Sequence, residues 1–552
     1  MEIHFLGGAT TVTGSQHLLV TERARVLIDC GMFQGSPNES IRNRVPFDYL
    51  PAELDAVLLT HAHLDHCGLL PVLVREGYKG KIHATAGTVE LTTVVLLDSG
   101  HLHEEFAKRE ARWEKRHPDK VAADDRKQAD AYEAAVELAH DGEDGVLGGD
   151  AGGAAGTAAS TGEHVATTIE PDHSATTPHS WPRDPEAELR AQPAVLDLDL
   201  DAPLYTVKDA ERALLQFAPL GYGTEIEVAP GVHATFLDAG HILGSAIIRV
   251  RVTEHEGGEE RVIVFSGDLG RPGTPILRDP TVMTGADYVL VESTYGGREH
   301  EPEAEAIRVL AETVRMVSDA GGVLLVPSFA IGRTQEVVWE LDRLIERGEI
   351  PLLPLYLDSP MASKASDIYR HHPDYYDEET AKLLRDGESP LDYPNQIIVS
   401  DFKASQAIAK APRPYMIVAS NGMLTGGRVV GHLRNLIDDP KATILFVGYQ
   451  GEGTLGAHLQ AGAKTVKLDG QVREVHCQIR SISGFSAHAD ESELLDWLRA
   501  FGAGKHPGDP GYPRKVFLVH GDPDAQIALE PKVRELGYAT HVPHWHERVT
   551  LD

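Results

Sequence analysis

His61-Ala62-His63-Leu64-Asp65-His66 places three imidazoles and a carboxylate within six residues. Before it, Ala56-Val57-Leu58-Leu59 is an apolar run that reads as a buried strand. After it, Gly68-Leu69-Leu70-Pro71-Val72-Leu73 reads as the start of an apolar helix. The cluster therefore falls in a turn between two buried elements, where its side chains can converge. Neutral imidazole and carboxylate are good ligands for zinc and similar borderline cations. A solvated turn is built from Gly, Asn or Asp rather than three His, so the hexapeptide points to metal. Four donors this close more than fill one tetrahedral site, which suggests two metals once other segments contribute.

The rest of the composition fits a large enzyme. With 552 residues, 42% hydrophobic and 24% charged, two or three domains are expected. The net charge of −33 argues against adhesion to nucleic acid through the overall field, but leaves room for a local basic groove. Cys30, Cys67 and Cys477 are too few and too scattered for a disulfide framework, and each reads as a small buried side chain. Met1-Glu2-Ile3-His4-Phe5-Leu6 lacks the layout of a signal peptide, and no apolar stretch is long enough to cross a bilayer. A cytoplasmic protein is expected.

Short apolar runs ending in a polar residue recur along the chain. Val26-Leu27-Ile28 leads to Asp29, Val262-Ile263-Val264-Phe265 to Ser266-Gly267-Asp268, and Val289-Leu290-Val291 to Glu292. Leu355-Tyr356-Leu357 leads to Asp358-Ser359, Met416-Ile417-Val418 to Ala419-Ser420, and Val516-Phe517-Leu518-Val519 to His520. Such runs, with helical patterns between them, predict sheets covered by helices. The carboxyl ends of strands are where α/β proteins build their sites. Residues 112–202 break the pattern: within 121–202 there are 18 acidic and 4 basic residues, a net of −14. Low hydrophobicity with high charge predicts a solvated, disordered insertion, with Ala129 to Ala139 its only helical stretch.

Four segments offer further ligands: Asp238-Ala239-Gly240-His241, Ser266-Gly267-Asp268, Ser486-Ala487-His488-Ala489-Asp490 and Val519-His520-Gly521-Asp522. A lone His is more often a hydrogen-bonded structural residue than a ligand; beside the hexapeptide the balance reverses. In this order the segments resemble the metallo-β-lactamase superfamily, whose signature is H-x-H-x-D-H followed by a distal His and a distal Asp. Glu292 in Val291-Glu292-Ser293-Thr294-Tyr295, then His488 and His520 in their segments, resemble the later motifs of its β-CASP branch, which acts on nucleic acids. Phe5-Leu6-Gly7-Gly8-Ala9-Thr10-Thr11-Val12-Thr13-Gly14-Ser15 and Pro327-Ser328-Phe329-Ala330-Ile331-Gly332-Arg333-Thr334-Gln335-Glu336 are similar to bacterial and archaeal relatives of the cleavage-and-polyadenylation endonuclease subunit. Ser420-Asn421-Gly422-Met423-Leu424-Thr425-Gly426-Gly427-Arg428 is too.

The resemblance implies an α/β fold, an αββα sandwich with an inserted β-CASP domain. It divides the chain into 1–297, 298–480 and 481–552, the first and last belonging to the sandwich. It also implies two Zn2+ per chain, one on His61, His63 and His241, the other on Asp65, His66 and His520. Asp268 would bridge them, and Asp29 would fix a ligating His by hydrogen bond. Two zinc ions about 3.5–4 Å apart lower the pKa of a shared water from about 15.7 toward 7. His488 would then protonate the leaving oxygen, oriented by Glu292, with Asp65 also in the catalytic set.

Phosphates away from the cut need donors. Arg333 opens a predicted helix, where backbone N–H groups favour an anion. Ser420, Thr425 and Arg428 lie in a Gly-rich turn, and Ser359 is a further candidate. For each of these a cap or turn role competes locally, and the resemblance favours substrate contact. His101, His103, His541, His544 and His546 match no ligand position and read as structural or surface.

The expected function is zinc-dependent hydrolysis of single-stranded RNA, mainly internal, with room for 5′-exonucleolytic cutting. A β-CASP DNA nuclease is the alternative; a small-molecule hydrolase would lack the inserted domain. A non-catalytic scaffold would have lost ligands, whereas all seven positions are filled here. No membrane partner is expected, and a homodimer stays open.

Overall fold

Two mixed seven-stranded sheets and one fully parallel six-stranded sheet carry the molecule. The computed structural model describes residues 1–35, 37–141, 200–255, 257–448, 450–451, 453–468 and 470–552. The first six strands are β1 (Glu2–Gly7), β2 (Gln16–Val20), β3 (Arg25–Ile28), β4 (Ala56–Leu58), β5 (Lys81–Thr85) and β6 (Phe217–Leu220). Next come β7 (Glu225–Ala229), β8 (Val232–Asp238), β9 (Ala246–Thr253), β10 (Glu260–Phe265) and β11 (Tyr288–Glu292). The chain then builds β12 (Val323–Pro327), β13 (Leu355–Leu357), β14 (Gln396–Ile398), β15 (Tyr415–Ala419) and β16 (Ala442–Phe446). A small hairpin, β17 (Thr465–Leu468) with β18 (Gln471–Glu474), precedes β19 (Gln478–Ser481). The last strands are β20 (Lys515–Val519), β21 (Thr540–His541) and β22 (Glu547–Thr550).

Two seven-stranded sheets, in the orders β22-β1-β2-β3-β4-β5-β6 and β21-β20-β11-β10-β9-β8-β7, form the sandwich. Between them lies one core of alternating residues, with Ile3, Phe5, Leu19, Val26, Ile28 and Leu58 from one sheet meeting Phe236, Ile248, Val250, Ile263, Phe265 and Phe517 from the other. Each such side chain taken from water contributes about 1.5–3 kcal/mol. The opposite faces carry helices, which is why β4, β10, β11 and β20 read as apolar on both sides rather than alternating. The αββα expectation is met.

After β11 the chain leaves the sandwich and returns to it at β20, which pairs with β11 in parallel. In between, a six-stranded sheet in the order β14-β13-β15-β12-β16-β19 is parallel throughout, with an apolar core on each face. Parallel pairing puts the carboxyl ends of β12, β13 and β15 on one edge.

The expected insertion needs a correction at its start. Ala86–Glu114 and Pro118–Asp141 are helices, so the chain is structured well past Arg112. Thr85 caps the first, its hydroxyl accepting from the Thr88 amide at 3.2 Å. In the second, Tyr132, Ala135 and Ala139 are buried at helical spacing and the helix packs on the turn Ile41–Arg44. Its Ala, Glu, Gln and Lys residues are strong helix formers. A narrow apolar stripe of this kind disappears in a count of net charge. Residues 142–199, most of the expected insertion, lie outside the described residues.

Candidate metal centre

The site is built from strand ends. β4 runs out at Leu58, and Leu59 and Thr60 lead directly into His61. The short helix Leu64–Cys67 then turns Asp65 and His66 back toward the sandwich. This turn is clamped by backbone: the amides of Ser15, Cys30 and Met32 donate to the carbonyls of Asp65, His66 and Leu64 at 2.8–3.1 Å. Gly31 is needed there, since any Cβ would overlap the Asp65 carbonyl. His241 follows β8, Asp268 follows β10, and His520 follows β20.

Their donor atoms meet in two groups. His61 Nε2 lies 3.2 Å from His63 Nδ1, which lies 3.1 Å from His241 Nε2, and Asp268 Oδ2 is 3.3 Å from His61 and 3.5 Å from His241. In the second group His66 Nε2 is 3.2 Å from His520 Nε2, and Asp65 Oδ2 is 3.6 Å from His520. Asp268 reaches this group as well, its Oδ1 lying 3.3 Å from His66 and 3.4 Å from His520. Asp268 is thus the side chain between both groups.

This donor set fits metal. Tetrahedral ligands bonded at about 2.0–2.1 Å stand roughly 3.3–3.4 Å apart, the spacing found here. Imidazole nitrogens cannot all satisfy one another, and Asp268 Oδ1 is buried without a hydrogen-bond partner among the described residues. Burial, with the neighbouring His66 charge, pushes His61 down to about 3, and burial pushes His63 down to about 4, so both present the neutral ligating form. The outer nitrogens are held too. His66 Nδ1 meets Asp29 Oδ2 at 2.7 Å, and Thr60 donates to both Asp29 oxygens through its amide and hydroxyl. His241 Nδ1 donates to the Ala487 carbonyl at 3.1 Å. Fixing the second nitrogen sets which one faces the metal.

His488 stands beside the groups rather than within either. Its Nδ1 is 3.1 Å from both oxygens of Glu292, and its Nε2 is 4.0 Å from Asp268 Oδ2. Burial alone would lower the imidazole; the Glu292 and Asp268 carboxylates outweigh it and raise it to about 9. Glu292, fully buried, also accepts from the Leu269 amide at 2.6 Å.

The phosphate candidates are distributed unevenly. Ser359, Ser420, Thr425 and Arg428 gather at the carboxyl edge of the six-stranded sheet, with Ser359 Oγ 2.9 Å from Ser420 Oγ and Thr425 exposed. Arg428 is engaged by Asp358 at 2.7 Å and by the Val399 and Ser400 carbonyls. Arg333 is 5% exposed and paired with Glu336, so its guanidinium faces inward. Sequence reasoning gave no role to Asp358, which also binds His432 Nε2 at 2.6 Å and Ser405, although it ends a strand as the other site residues do. It also missed Thr60, and His300, whose Nε2 donates to the His488 carbonyl at 3.1 Å. Nothing in the local pattern around His300 distinguishes it. His103 packs on Tyr205, His541 bonds Glu547 and His546 lies by Asp48, none of them near the centre.

Comparisons with known proteins agree with this architecture. Residues 9–172 match the metallo-beta-lactamase superfamily, residues 334–459 the Beta-Casp domain, and residues 472–543 the Zn-dependent metallo-hydrolase RNA specificity domain. Ribonuclease TTHA0252 of Thermus thermophilus is 34% identical over 96% of this chain and 95% of its own. The chain belongs to the β-CASP branch of the metallo-β-lactamase superfamily. This β-CASP protein is also 30% identical to transcription termination factor FttA of Methanosarcina mazei, over 96% of this chain and 68% of that protein. It is a metal-dependent nuclease. No helix among the described residues is long and apolar enough to cross a membrane.

Proposed function

We propose that this protein is a zinc-dependent ribonuclease that hydrolyses phosphodiester bonds of single-stranded RNA, mainly internally, with 5′-exonucleolytic cutting at the same centre. In this reading 1–297 and 481–552 form the catalytic sandwich and 298–480 the β-CASP domain. Two similar proteins named as a ribonuclease and a transcription termination factor support RNA over DNA. The three cysteines are buried free thiols, which suits a reducing cytoplasm.

His61, His63 and His241 would hold one zinc, Asp65, His66 and His520 the other, with Asp268 shared. When bound, the metals supply an activated water and neutralise charge on the phosphoryl oxygens. The chain's own residues do the rest. Asp29 and the Ala487 carbonyl keep His66 and His241 oriented, and Glu292 beneath the acid is itself shut off from bulk water. His488 holds its proton on the side facing the centre and releases it to the leaving ribose oxygen, while Glu292 fixes Nδ1 and stabilises the imidazolium. Ser359, Ser420, Thr425, Arg428 and the amino end of the Arg333 helix would steady phosphates away from the cut.

The observation that carries this reading is the His488–Glu292 pair, which meets the two ligand groups only through Asp268 and has Glu292 on its outer nitrogen. The test compares two histidines. His488→Ala should keep both zincs and bind RNA, yet cleave about 10²–10⁴-fold more slowly. Its defect should shrink on a nitrophenyl phosphodiester, whose leaving group needs no proton. His520→Ala should lose metal and fail on both. Equal zinc content and equal behaviour on the activated substrate would refute the division of roles, and a preference for labelled single-stranded DNA would refute the choice of RNA.

A further inference from the structure

The loop after β12 exposes an aromatic ring at the carboxyl edge of the six-stranded sheet. Phe329 is 37% exposed, although Ser328 beside it is buried. A single exposed apolar side chain means little by itself. What distinguishes this one is how firmly it is held and where. Its carbonyl accepts from the Thr334 amide at 3.2 Å and the Thr334 hydroxyl at 2.7 Å, and the preceding Ser328 amide donates to Ala419 at 3.0 Å. The ring lies against the backbone of Gly422, where a Cβ would stand only 3.1–3.2 Å from its Cδ2 and Cε2. It joins none of the hydrophobic cores among the described residues.

Two further placements give the ring a context. β12, β13 and β15 are parallel neighbours, so Phe329 shares an edge with Ser359, Ser420 and Thr425. The same loop ends at Gly332, which lines one small cavity with His241, Ser486 and Ala487. Phe329 thus stands three positions along the chain from a cavity that His241 also lines, on the strand edge that carries the phosphate candidates.

We propose that Phe329 is a stacking plate for one nucleobase of the bound strand. This rests on the nucleic-acid reading of the site and deepens it. Every base has a π face, so such a plate tolerates sequence but requires a base free of its own neighbours. It would thereby favour single strands independently of the metals. Because the backbone and ring are already fixed, little side-chain entropy is lost on contact.

The experiment uses the full-length zinc-loaded protein and a set of short single-stranded RNAs, each with one abasic nucleotide at a different position. In the wild type, one abasic position should raise KM about 5- to 150-fold. Phe329→Leu should raise KM on intact RNA by a similar factor and remove the penalty at that position, while Phe329→Tyr keeps both. An unchanged KM in Phe329→Leu, or a penalty that persists there, overturns the proposal. RNA cleavage without any abasic position coupled to Phe329 overturns stacking alone; no cleavage of RNA or DNA by the wild type overturns the nuclease reading with it.

Discussion

Glu340 offers a stability test whose magnitude can be worked out from the structure. It lies in the helix Arg333–Glu346, which is buried along most of its length between the six-stranded sheet and the sandwich. Glu340 is 1% exposed, and neither carboxylate oxygen has a hydrogen-bond partner among the described residues. Burial, and then the charges of Glu336 and Glu303, raise its carboxyl from 4.5 to about 8. The unfolded chain ionises this group near 4.5, while the folded protein keeps it protonated until about 8. Its contribution to stability is thus fully present below pH 4.5 and is lost as pH rises through 8. At ~1.4 kcal/mol per pH unit, the loss is ~3 kcal/mol by pH 7 and ~5 kcal/mol above pH 8. Glu340→Gln removes the titration and leaves a neutral group of the same shape. The variant's advantage over wild type should therefore grow from pH 5 to pH 8, while titrations not coupled to Glu340 cancel in the difference. At roughly 2–4 °C per kcal/mol for a unit of 150–250 residues, the gap in Tm should widen by ~6 °C or more. Thermal melts of both proteins at pH 5, 6, 7 and 8 check this. A gap that stays flat across that range would mean that Glu340 is solvated or paired, and the reasoning fails.

Asp29→Ala should leave the fold intact but free the His66 ring, weakening metal binding about 10–100-fold, as read by competition with a chromogenic chelator. Tyr132→Ala should lower stability by ~3 kcal/mol in a melting experiment, because Tyr132 lies on the buried face of the helix Pro118–Asp141; no change would return that helix to the solvated insertion first expected.

Much of the centre was legible in the sequence because its ligands are chemically unusual where they stand. Three imidazoles in a turn after an apolar run suit few roles besides holding metal, and His241, Asp268 and His520 each follow a strand, as α/β chemistry requires. The apolar runs of β10, β11 and β20 likewise told of strands buried on both faces. What escaped is what depends on tertiary contact. The His300 bond to the His488 carbonyl joins residues 188 positions apart, and Asp358 gains its meaning only when Arg428, His432 and Ser405 fold around it. The inward turn of Arg333 toward Glu336 is equally invisible, since an Arg opening a helix reads locally as an anion donor. Of the helix Pro118–Asp141 only the stretch Ala129 to Ala139 was expected, because its apolar stripe was averaged into an acidic segment.

At the heart of the proposed function, the two donor groups that share Asp268 would each hold a metal, and the pair would supply the hydrolytic chemistry on RNA. The most direct test is to strip the protein with a chelator and return zinc in measured equivalents while following cleavage of an end-labelled single-stranded RNA. No cleavage is expected without metal, and full activity only as the second equivalent per chain is bound. Full activity at one equivalent, or cleavage that survives complete removal of metal, would contradict the two-metal centre.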